Sequence, residues 1–205
     1  MTLQIINSNQ YKSLIQQILK SETFAKEISR IAHNFPNVKQ EYLIRNLLII
    51  LLNEELAKQT DSIRVFADHP RRGNQYDMSI VDKNLVTSSP KQSCYKVDFK
   101  YQFSNDFRTR KTLHAFFDEC FIKRDTELFI YILAHKEIEK KQKFDKDWGI
   151  TSNLGHYICR SSDWLDLMND AVATHPQIIR NEPISLYINE HYTKEYHFFL
   201  MERRK

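Results

Sequence analysis

Apolar residues recur at helical spacing along the N-terminal part of the chain. Residues 8–33 carry a stripe with the period of an amphipathic helix, and Ser21 marks a break within it. Pro36 precedes a second helical segment, about 37–59, that is apolar on nearly every side. A helix of this kind is usually covered by the rest of a domain, so we expect it to lie centrally.

The pattern changes to strand-like runs after residue 61. Strands are predicted over residues 63–67, 76–81, 95–103 and 128–133. Turn-forming residues over 68–74 predict a loop between the first two strands, and a helix is predicted over about 105–122. The order helix, three strands, helix, strand predicts an α/β domain with a mixed sheet. The helix before the fourth strand allows that strand to lie parallel to the third.

The C-terminal part of the chain has weaker patterns. Residues 136–148 are charged and predict a solvated helix or loop, and Trp164 begins a short helical pattern. Residues 184–188 and 196–201 resemble a final strand pair. No repeat or linker-like tract interrupts the chain, so we predict a single domain in 205 residues. It divides into a core over about 37–135, a helical extension over 1–36, and peripheral elements over 136–205.

Charged side chains stand within the clearest predicted strand. Alternation places Asp98, Lys100 and Gln102 on one face of this strand, opposite a face of Val, Phe and Tyr. Burying an unpaired ion costs several kcal/mol, so something must compensate for these charges, and a bound metal ion is one candidate. A structural ion pair between Asp98 and Lys100 is the alternative.

Asp77 begins the neighbouring predicted strand and comes within reach of Asp98. Adjacent carboxylates repel, which raises one pKa unless a cation lies between them. Mg²⁺ prefers such oxygen ligands, and it would polarise a phosphoryl oxygen and lower the pKa of bound water. Lys100 would orient that water or offset charge on the phosphate, and Gln102 would help to place the lysine or the backbone.

A helix that carries glutamate is followed in sequence by an acidic residue, a loop and a strand with Asp-x-Lys. This arrangement resembles the PD-(D/E)XK nuclease superfamily. Its core is an αβββαβ unit, the restriction endonuclease-like fold. Asp77 matches the first acidic residue of the motif, Asp98 the second and Lys100 the lysine. Tyr76 stands where the motif has proline. The resemblance covers about 37–135, and outside its strand context the tripeptide would be weak evidence.

Many members of this superfamily add a helical glutamate to the metal site. We assign that role to Glu41, with Glu54 and Glu55 as alternatives. The resemblance implies hydrolysis of phosphodiester bonds in DNA with Mg²⁺ held by Asp77, Asp98 and Glu41, and with Mn²⁺ able to substitute. It also implies a stand-alone restriction or defence nuclease. Cutting both strands needs two active sites, so a homodimer with an interface on the N-terminal helices is plausible.

Basic residues flank the expected site. Five of them are candidates for contacts with nucleic acid: Arg71, Arg72, Arg108, Arg110 and Lys111. Their alternative role is that of ordinary surface charges. The net charge of +4 is compatible with a polyanionic partner but decides little. We expect His69 and His114 to lie near the site, whereas His135 is interpreted as structural.

Several classes of site and location are disfavoured by the sequence. The three cysteines are far apart and no His-x-x-x-His pair occurs, so zinc sites built on thiolates or histidines are not expected. The cysteines are expected to be buried reduced thiols. Neither a signal peptide nor a membrane span is indicated, and we expect a cytoplasmic protein.

Three rival functions remain open at this point. The first is a nucleic-acid-binding or partner-binding module that keeps the fold without cleavage. The second is a nuclease that acts on RNA or on single strands, because the predicted catalytic residues act on phosphate rather than on the base. The third is a non-nuclease protein in which Asp98 and Lys100 form an internal salt bridge.

Overall fold

The computed structural model describes residues 8–71, 74–86, 93–104, 110–151, 164–176 and 178–203. These residues form six α-helices: α1 (Ser8–Leu19), α2 (Glu22–Asn34), α3 (Glu41–Ala57), α4 (Arg110–Asp118), α5 (Ile138–Asp147) and α6 (Trp164–Thr174). They also form seven strands: β1 (Ile63–Arg71), β2 (Asn74–Asp82), β3 (Cys94–Phe103), β4 (Leu128–Lys136), β5 (Ile178–Arg180), β6 (Ile184–Glu190) and β7 (Thr193–Arg203). A π-helical segment, Glu119–Lys123, extends α4.

The strands form one mixed sheet in the order β1-β2-β3-β4-β7-β5, with β6 also paired to β7. β3 and β4 are parallel, and the other pairs are antiparallel. The predicted α/β class with a mixed sheet is therefore confirmed. The element order from α3 to β4 is helix, three strands, helix, strand, as the sequence pattern predicted.

Hydrophobic cores lie on both faces of the sheet. The α1, α2 and α3 helices pack on the face that carries Val97, Phe99 and Tyr101. The α4 and α6 helices cover the opposite face, where Phe117 and Phe129 are buried. Because β4 lies between the two cores, its side chains are buried on both faces, which suits the continuous apolar run from Leu128 to Leu133.

The predicted helical segments at the N-terminal end are found, with one correction. The break near Ser21 is confirmed, since its side chain accepts a hydrogen bond from the Phe24 amide and caps α2. The α3 helix was expected to be covered on nearly every side. It buries Leu48 and Leu52 completely, yet Ile50 on its outer side is 55% exposed.

The predicted loop over residues 68–74 is mostly strand. β1 continues to Arg71 and β2 already begins at Asn74, with Pro70 paired to Gln75. Pro, Gly and Asn favour turns, but β1 is an edge strand, and an edge strand tolerates a proline that cannot donate to the ladder. The antiparallel ladder therefore extends through most of the segment that turn chemistry assigned to a loop.

The final strand pair, β6 and β7, is present as predicted. Residues 136–205 were expected to be peripheral, whereas β7 pairs with β4 from Leu128 to Lys136 and lies inside the sheet. The α5 and α6 helices lie in the charged segment and in the segment that begins at Trp164. Among the described residues, no helix combines the length and the apolar character needed to cross a membrane.

Candidate active site

β2 and β3 separate near the middle of β3. Their ladder runs from the Val81–Cys94 pair to the Met78–Val97 pair, and Asp77 and Asp98 come next on the two strands. Beyond this point the Phe99 amide donates to Asp77 Oδ2 at 2.8 Å and the Tyr101 amide donates to Glu41 Oε2 at 2.5 Å. Carboxylates thus replace strand carbonyl groups as acceptors. We call this opening, lined by Glu41, Asp77, Asp98 and Lys100, the β2–β3 fork.

Asp98 is completely buried at the base of the fork. Its Oδ1 accepts from the Asp77 amide at 3.3 Å and lies 3.5 Å from Arg124 Nη1. Its Oδ2 accepts from Thr126 Oγ1 at 2.7 Å. A buried carboxylate needs such partners. Neither Arg124 nor Thr126 was predicted from the sequence, because both residues precede β4 in a segment without a recognisable pattern.

Asp77 lies beside Asp98, as the sequence predicted. Burial raises the pKa of the Asp77 carboxyl, the Phe99 hydrogen bond opposes this rise, and the neighbouring Asp98 charge adds to it. The reciprocal contacts, from the Asp77 amide to Asp98 and from the Phe99 amide to Asp77, keep the two acidic residues together. Paired carboxylates in this environment favour either a proton or a cation between them.

Glu41 reaches the fork from the first turn of α3. Burial raises the pKa of its carboxyl, the Tyr101 amide lowers it, Asp77 raises it and Lys100 lowers it. The preceding residue, Gln40, is fully buried. Its side-chain oxygen accepts from the hydroxyls of Tyr196 and Tyr101, and its amide donates to Phe35 O at 2.8 Å. This anchor holds the start of α3 and was not recognised in the sequence.

Lys100 is half-buried on the same face of β3 as Asp98. Its ammonium group lies 5.1 Å from the centre of the Phe116 ring. The ion-pair partner of Asp98 is Arg124, at 3.5 Å, and not Lys100. The expected alternative of an internal salt bridge between Asp98 and Lys100 is therefore wrong. Gln102 is also half-buried, one position further along this face.

A second ion pair supports the fork from the side of β1. Arg45, one turn after Glu41 on α3, donates from both terminal nitrogens to Asp68, at 2.7 and 3.2 Å. Asp68 has a φ of 47°, a conformation that aspartate adopts more readily than most residues. It lies opposite Asp77, where the β1–β2 pairing passes from Ala67–Met78 to His69–Tyr76. The charge of Arg45 also lowers the pKa of Asp77.

The alternative glutamates and the histidines lie elsewhere. Glu54 is about 20 Å along the helix axis from Glu41, and Glu55 pairs with Lys58 on the exposed side. His114 was expected near the site, but its Nε2 faces Ala171 O in α6 at 3.1 Å. His69 belongs to β1, and nothing of its side chain is described. His135 contacts Ser104 at 2.9 Å, consistent with a structural role.

The predicted phosphate-contacting residues are only partly described. Arg71 ends β1, and Arg110 and Lys111 begin α4, but their side chains are outside the described part of the structure. Arg72 and Arg108 lie outside the described residues altogether.

Two of the three cysteines, Cys94 and Cys120, are described, and both are buried and outside any disulfide, as expected. Cys159 lies outside the described residues. Cys120 lies close enough to the fork to be influenced by it: burial and then the Asp98 charge raise the pKa of its thiol to about 12. Cys120 therefore stays protonated at neutral pH and is a poor metal ligand.

The donor set at the fork suits a hard divalent cation. Asp77 and Asp98 offer adjacent carboxylate oxygens, and Mg²⁺ is commonly held by one or two carboxylates, with waters and substrate oxygens completing its shell. Within the described ranges, no three His, Cys, Asp or Glu side chains converge as a metal-binding group. The fork therefore fits an open site that shares its ion with solvent or substrate, and not a closed protein cage.

Comparisons of this chain with protein-family models, with curated proteins and with solved structures found no match.

Proposed function

We propose that this protein is a metal-dependent endonuclease of the PD-(D/E)XK type that hydrolyses phosphodiester bonds in DNA. The β2–β3 fork carries the proposal, because Asp77 and Asp98 lie side by side where the strand pairing stops, and Glu41 reaches the stretch of β3 that carries Lys100. The αβββαβ order, with β3 parallel to β4, supports the restriction endonuclease-like core.

Each residue of the fork has a distinct proposed role. Asp77 and Asp98 would hold Mg²⁺, and Glu41 would complete the acidic side of the site. When bound, the ion would supply Lewis-acid polarisation of the phosphate and a more acidic water. Lys100 would hold the attacking water in line or offset the charge that develops on the phosphate. Packing of its ammonium on Phe116 limits the positions that this group can adopt.

The proposed substrate and biological setting follow from the resemblance to the superfamily. Duplex DNA is preferred, with RNA and single strands as alternatives, and the basic residues named from the sequence would contact the phosphates. A cytoplasmic restriction or defence nuclease is the expected setting. A homodimer would place two forks on one duplex. The apolar stripes of α1 and α2 are already buried in the core, so an interface there would use their outer polar faces.

One observation favours a non-catalytic binding module on the same fold. Asp98 is fully buried and already has three donors among the described residues: the Asp77 amide, Thr126 and Arg124. A carboxylate satisfied in this way can serve structure alone. Metal binding separates the two functions, because the module predicts no effect of a divalent cation on this site.

The decisive experiment is a cleavage assay on supercoiled, linear and single-stranded DNA and on RNA, with and without Mg²⁺. We expect Mg²⁺-dependent cleavage that falls about 100-fold or more in Lys100→Met, the size of a lost acid–base contribution. The matched control is Lys96→Met, which removes an ammonium from the same strand face but from a pair with Asp125 outside the fork. Metal-independent cleavage, or full activity in K100M, would contradict the mechanism.

Calorimetry with Mn²⁺ provides a test that does not depend on finding the right substrate. The wild-type protein should bind the ion, and Asp77→Ala should lose that binding because it removes one of the adjacent carboxylates. Equal binding by both proteins would place the ion elsewhere and would remove the basis for the proposed site.

A further inference from the structure

Arg124 is the cation that neutralises Asp98 in this structure. It directly follows the π-helical segment Glu119–Lys123, and its Nη1 lies 3.5 Å from Asp98 Oδ1. Its Nε lies 3.8 Å from Glu119 on the outer side. The guanidinium therefore bridges the buried carboxylate and an acidic side chain near the surface.

The contact from Arg124 is the weakest of the three made to Asp98. Thr126 donates at 2.7 Å from a buried position, and the Asp77 amide is fixed by its strand. Arg124 is longer in reach and its side chain is 40% exposed. Partly exposed ion pairs contribute little to stability, because water screens them and the long side chain loses conformational freedom. Of the three donors, Arg124 is the one that can leave Asp98 at low cost.

We propose that Arg124 is an exchangeable counter-cation, which holds Asp98 in the metal-free protein and withdraws from it when a divalent cation binds. The inference rests on the proposed function, since it concerns the regulation of the same site. A guanidinium and a divalent ion on one carboxylate repel each other, so binding of the ion requires Arg124 to move outward. Arg124 thereby sets the concentration of divalent ion at which the fork is loaded.

Calorimetric titration with Mn²⁺ tests this exchange directly. Arg124→Gln should lower the Kd for Mn²⁺ about three- to fivefold, the equivalent of losing one partly exposed ion pair that competes with the metal. Arg124→Lys keeps a cation and should stay close to the wild type. The matched control is Lys123→Gln, which removes the neighbouring charge that pairs with Glu119 and not with Asp98. This control should leave the Kd unchanged.

Thermal unfolding provides a second readout that does not involve activity. In EDTA, Arg124→Gln should melt below the wild type, because Asp77 and Asp98 lose their shared counter-charge. Saturating Mn²⁺ should remove that difference. Lys123→Gln should show no difference that depends on the metal, because its pair with Glu119 lies outside the fork.

The outcomes distinguish failure of this inference from failure of the proposed function. If the wild type binds Mn²⁺, Asp77→Asn abolishes binding and Arg124→Gln binds no more tightly than the wild type, the metal site stands and the exchange is refuted. If neither the wild type nor any variant binds Mn²⁺, the proposed function fails and the inference fails with it. Tighter binding by Arg124→Gln and Lys123→Gln alike would show only general charge repulsion, which also refutes a specific exchange.

Discussion

Asp77 and Glu41 each place a carboxylate where a neighbouring strand would place a carbonyl oxygen. The amides of Phe99 and Tyr101 stabilise these carboxylates, but burial raises the pKa of both. The charge of Asp98 adds to the rise at Asp77, and the charge of Asp77 adds to the rise at Glu41. The folded protein therefore holds these protons more tightly than the unfolded chain does. Stability from this source is present at low pH and is lost as the pH rises through the raised pKa values.

Neutral replacements at these positions should stabilise the metal-free protein. Asp77→Asn and Glu41→Gln keep an oxygen that accepts from the strand amide and remove the repulsion. We expect each to raise the free energy of unfolding at pH 7 by about 0.5–2 kcal/mol, while abolishing metal binding. The gain should disappear as the pH falls below the ordinary carboxyl pKa, where the wild type is protonated too. Denaturation in EDTA across this pH range measures both effects.

Glu55→Gln is the matched control for these variants, because Glu55 pairs with Lys58 on the exposed side of α3. It should give no gain. Destabilisation by Asp77→Asn at every pH would mean that the Phe99 contact outweighs the repulsion, and our account of the fork's electrostatics would then be incorrect.

At the scale of elements, the sequence predicted the strand of Asp98 and Lys100 well. Alternation along β3 placed Val97 and Phe99 in the core, where they are buried. The alternation pattern could not predict the partners of Asp98, since Arg124 and Thr126 lie 26 and 28 residues further along the chain. Such contacts arise from the parallel pairing of β3 and β4, and no local pattern encodes them.

The α3 helix owes its position to a buried polar anchor as well as to apolar packing. Gln40 links the first turn to Tyr101 in β3, to Tyr196 in β7 and to Phe35 O. Gln40→Ala would remove these three hydrogen bonds, two of them from buried tyrosine hydroxyls, and we expect a loss of about 1–3 kcal/mol. Because Glu41 follows directly, metal affinity should fall as well.

Chemical denaturation and Mn²⁺ titration of the same Gln40→Ala sample check both parts of this prediction. Gln59→Ala, an exposed position just beyond the end of α3, is the comparison and should leave stability and metal affinity close to the wild type. Unchanged Mn²⁺ affinity in folded Gln40→Ala would show that Gln40 does not position Glu41 for metal binding.

At the scale of the whole molecule, β7 connects the last strands of the chain to the sheet and contributes to both hydrophobic cores. It pairs with β4, β5 and β6, and Phe198 and Phe199 contribute to opposite cores. Its strand pattern was visible in the sequence, but its position inside the sheet was not, because strand order depends on distant pairings. β4, which pairs with the strand that carries Asp98 and Lys100, is thus paired along its other edge with a segment from far along the chain.

Removal of a buried ring from β7 should therefore be costly. Phe198→Ala empties a fully buried position, and we expect a loss of about 3–5 kcal/mol in the free energy of unfolding. Ile50→Ala, at an exposed apolar position on α3, should change stability by less than about 0.5 kcal/mol. Urea denaturation of both variants measures this contrast. Similar small effects would mean that β7 contributes little to the common core.

The β1–β2 hairpin extends beyond the part of the sheet that β3 supports. Its ladder continues to the Arg71–Asn74 pair, whereas the β2–β3 ladder stops at Met78–Val97. The outer half of the hairpin, which ends in Arg71, therefore stands beside the fork. Arg72 follows it in the sequence. If DNA lies across the fork, we predict that Arg71 and Arg72, two of the candidates named from the sequence, contact its phosphates.

Salt dependence of binding tests that geometry independently of cleavage. In metal-free buffer, affinity for a labelled duplex should fall with salt, with a slope of log K against log salt near −0.9 per phosphate contact. Arg71→Gln with Arg72→Gln should make the slope shallower by about 2 if both arginines contact phosphate. Lys20→Gln with Arg30→Gln removes the same charge from two exposed positions, one just after α1 and one on α2, and should leave the slope unchanged. Equal effects of the two double variants would mean that the hairpin arginines contribute only net charge and that the DNA does not contact the hairpin.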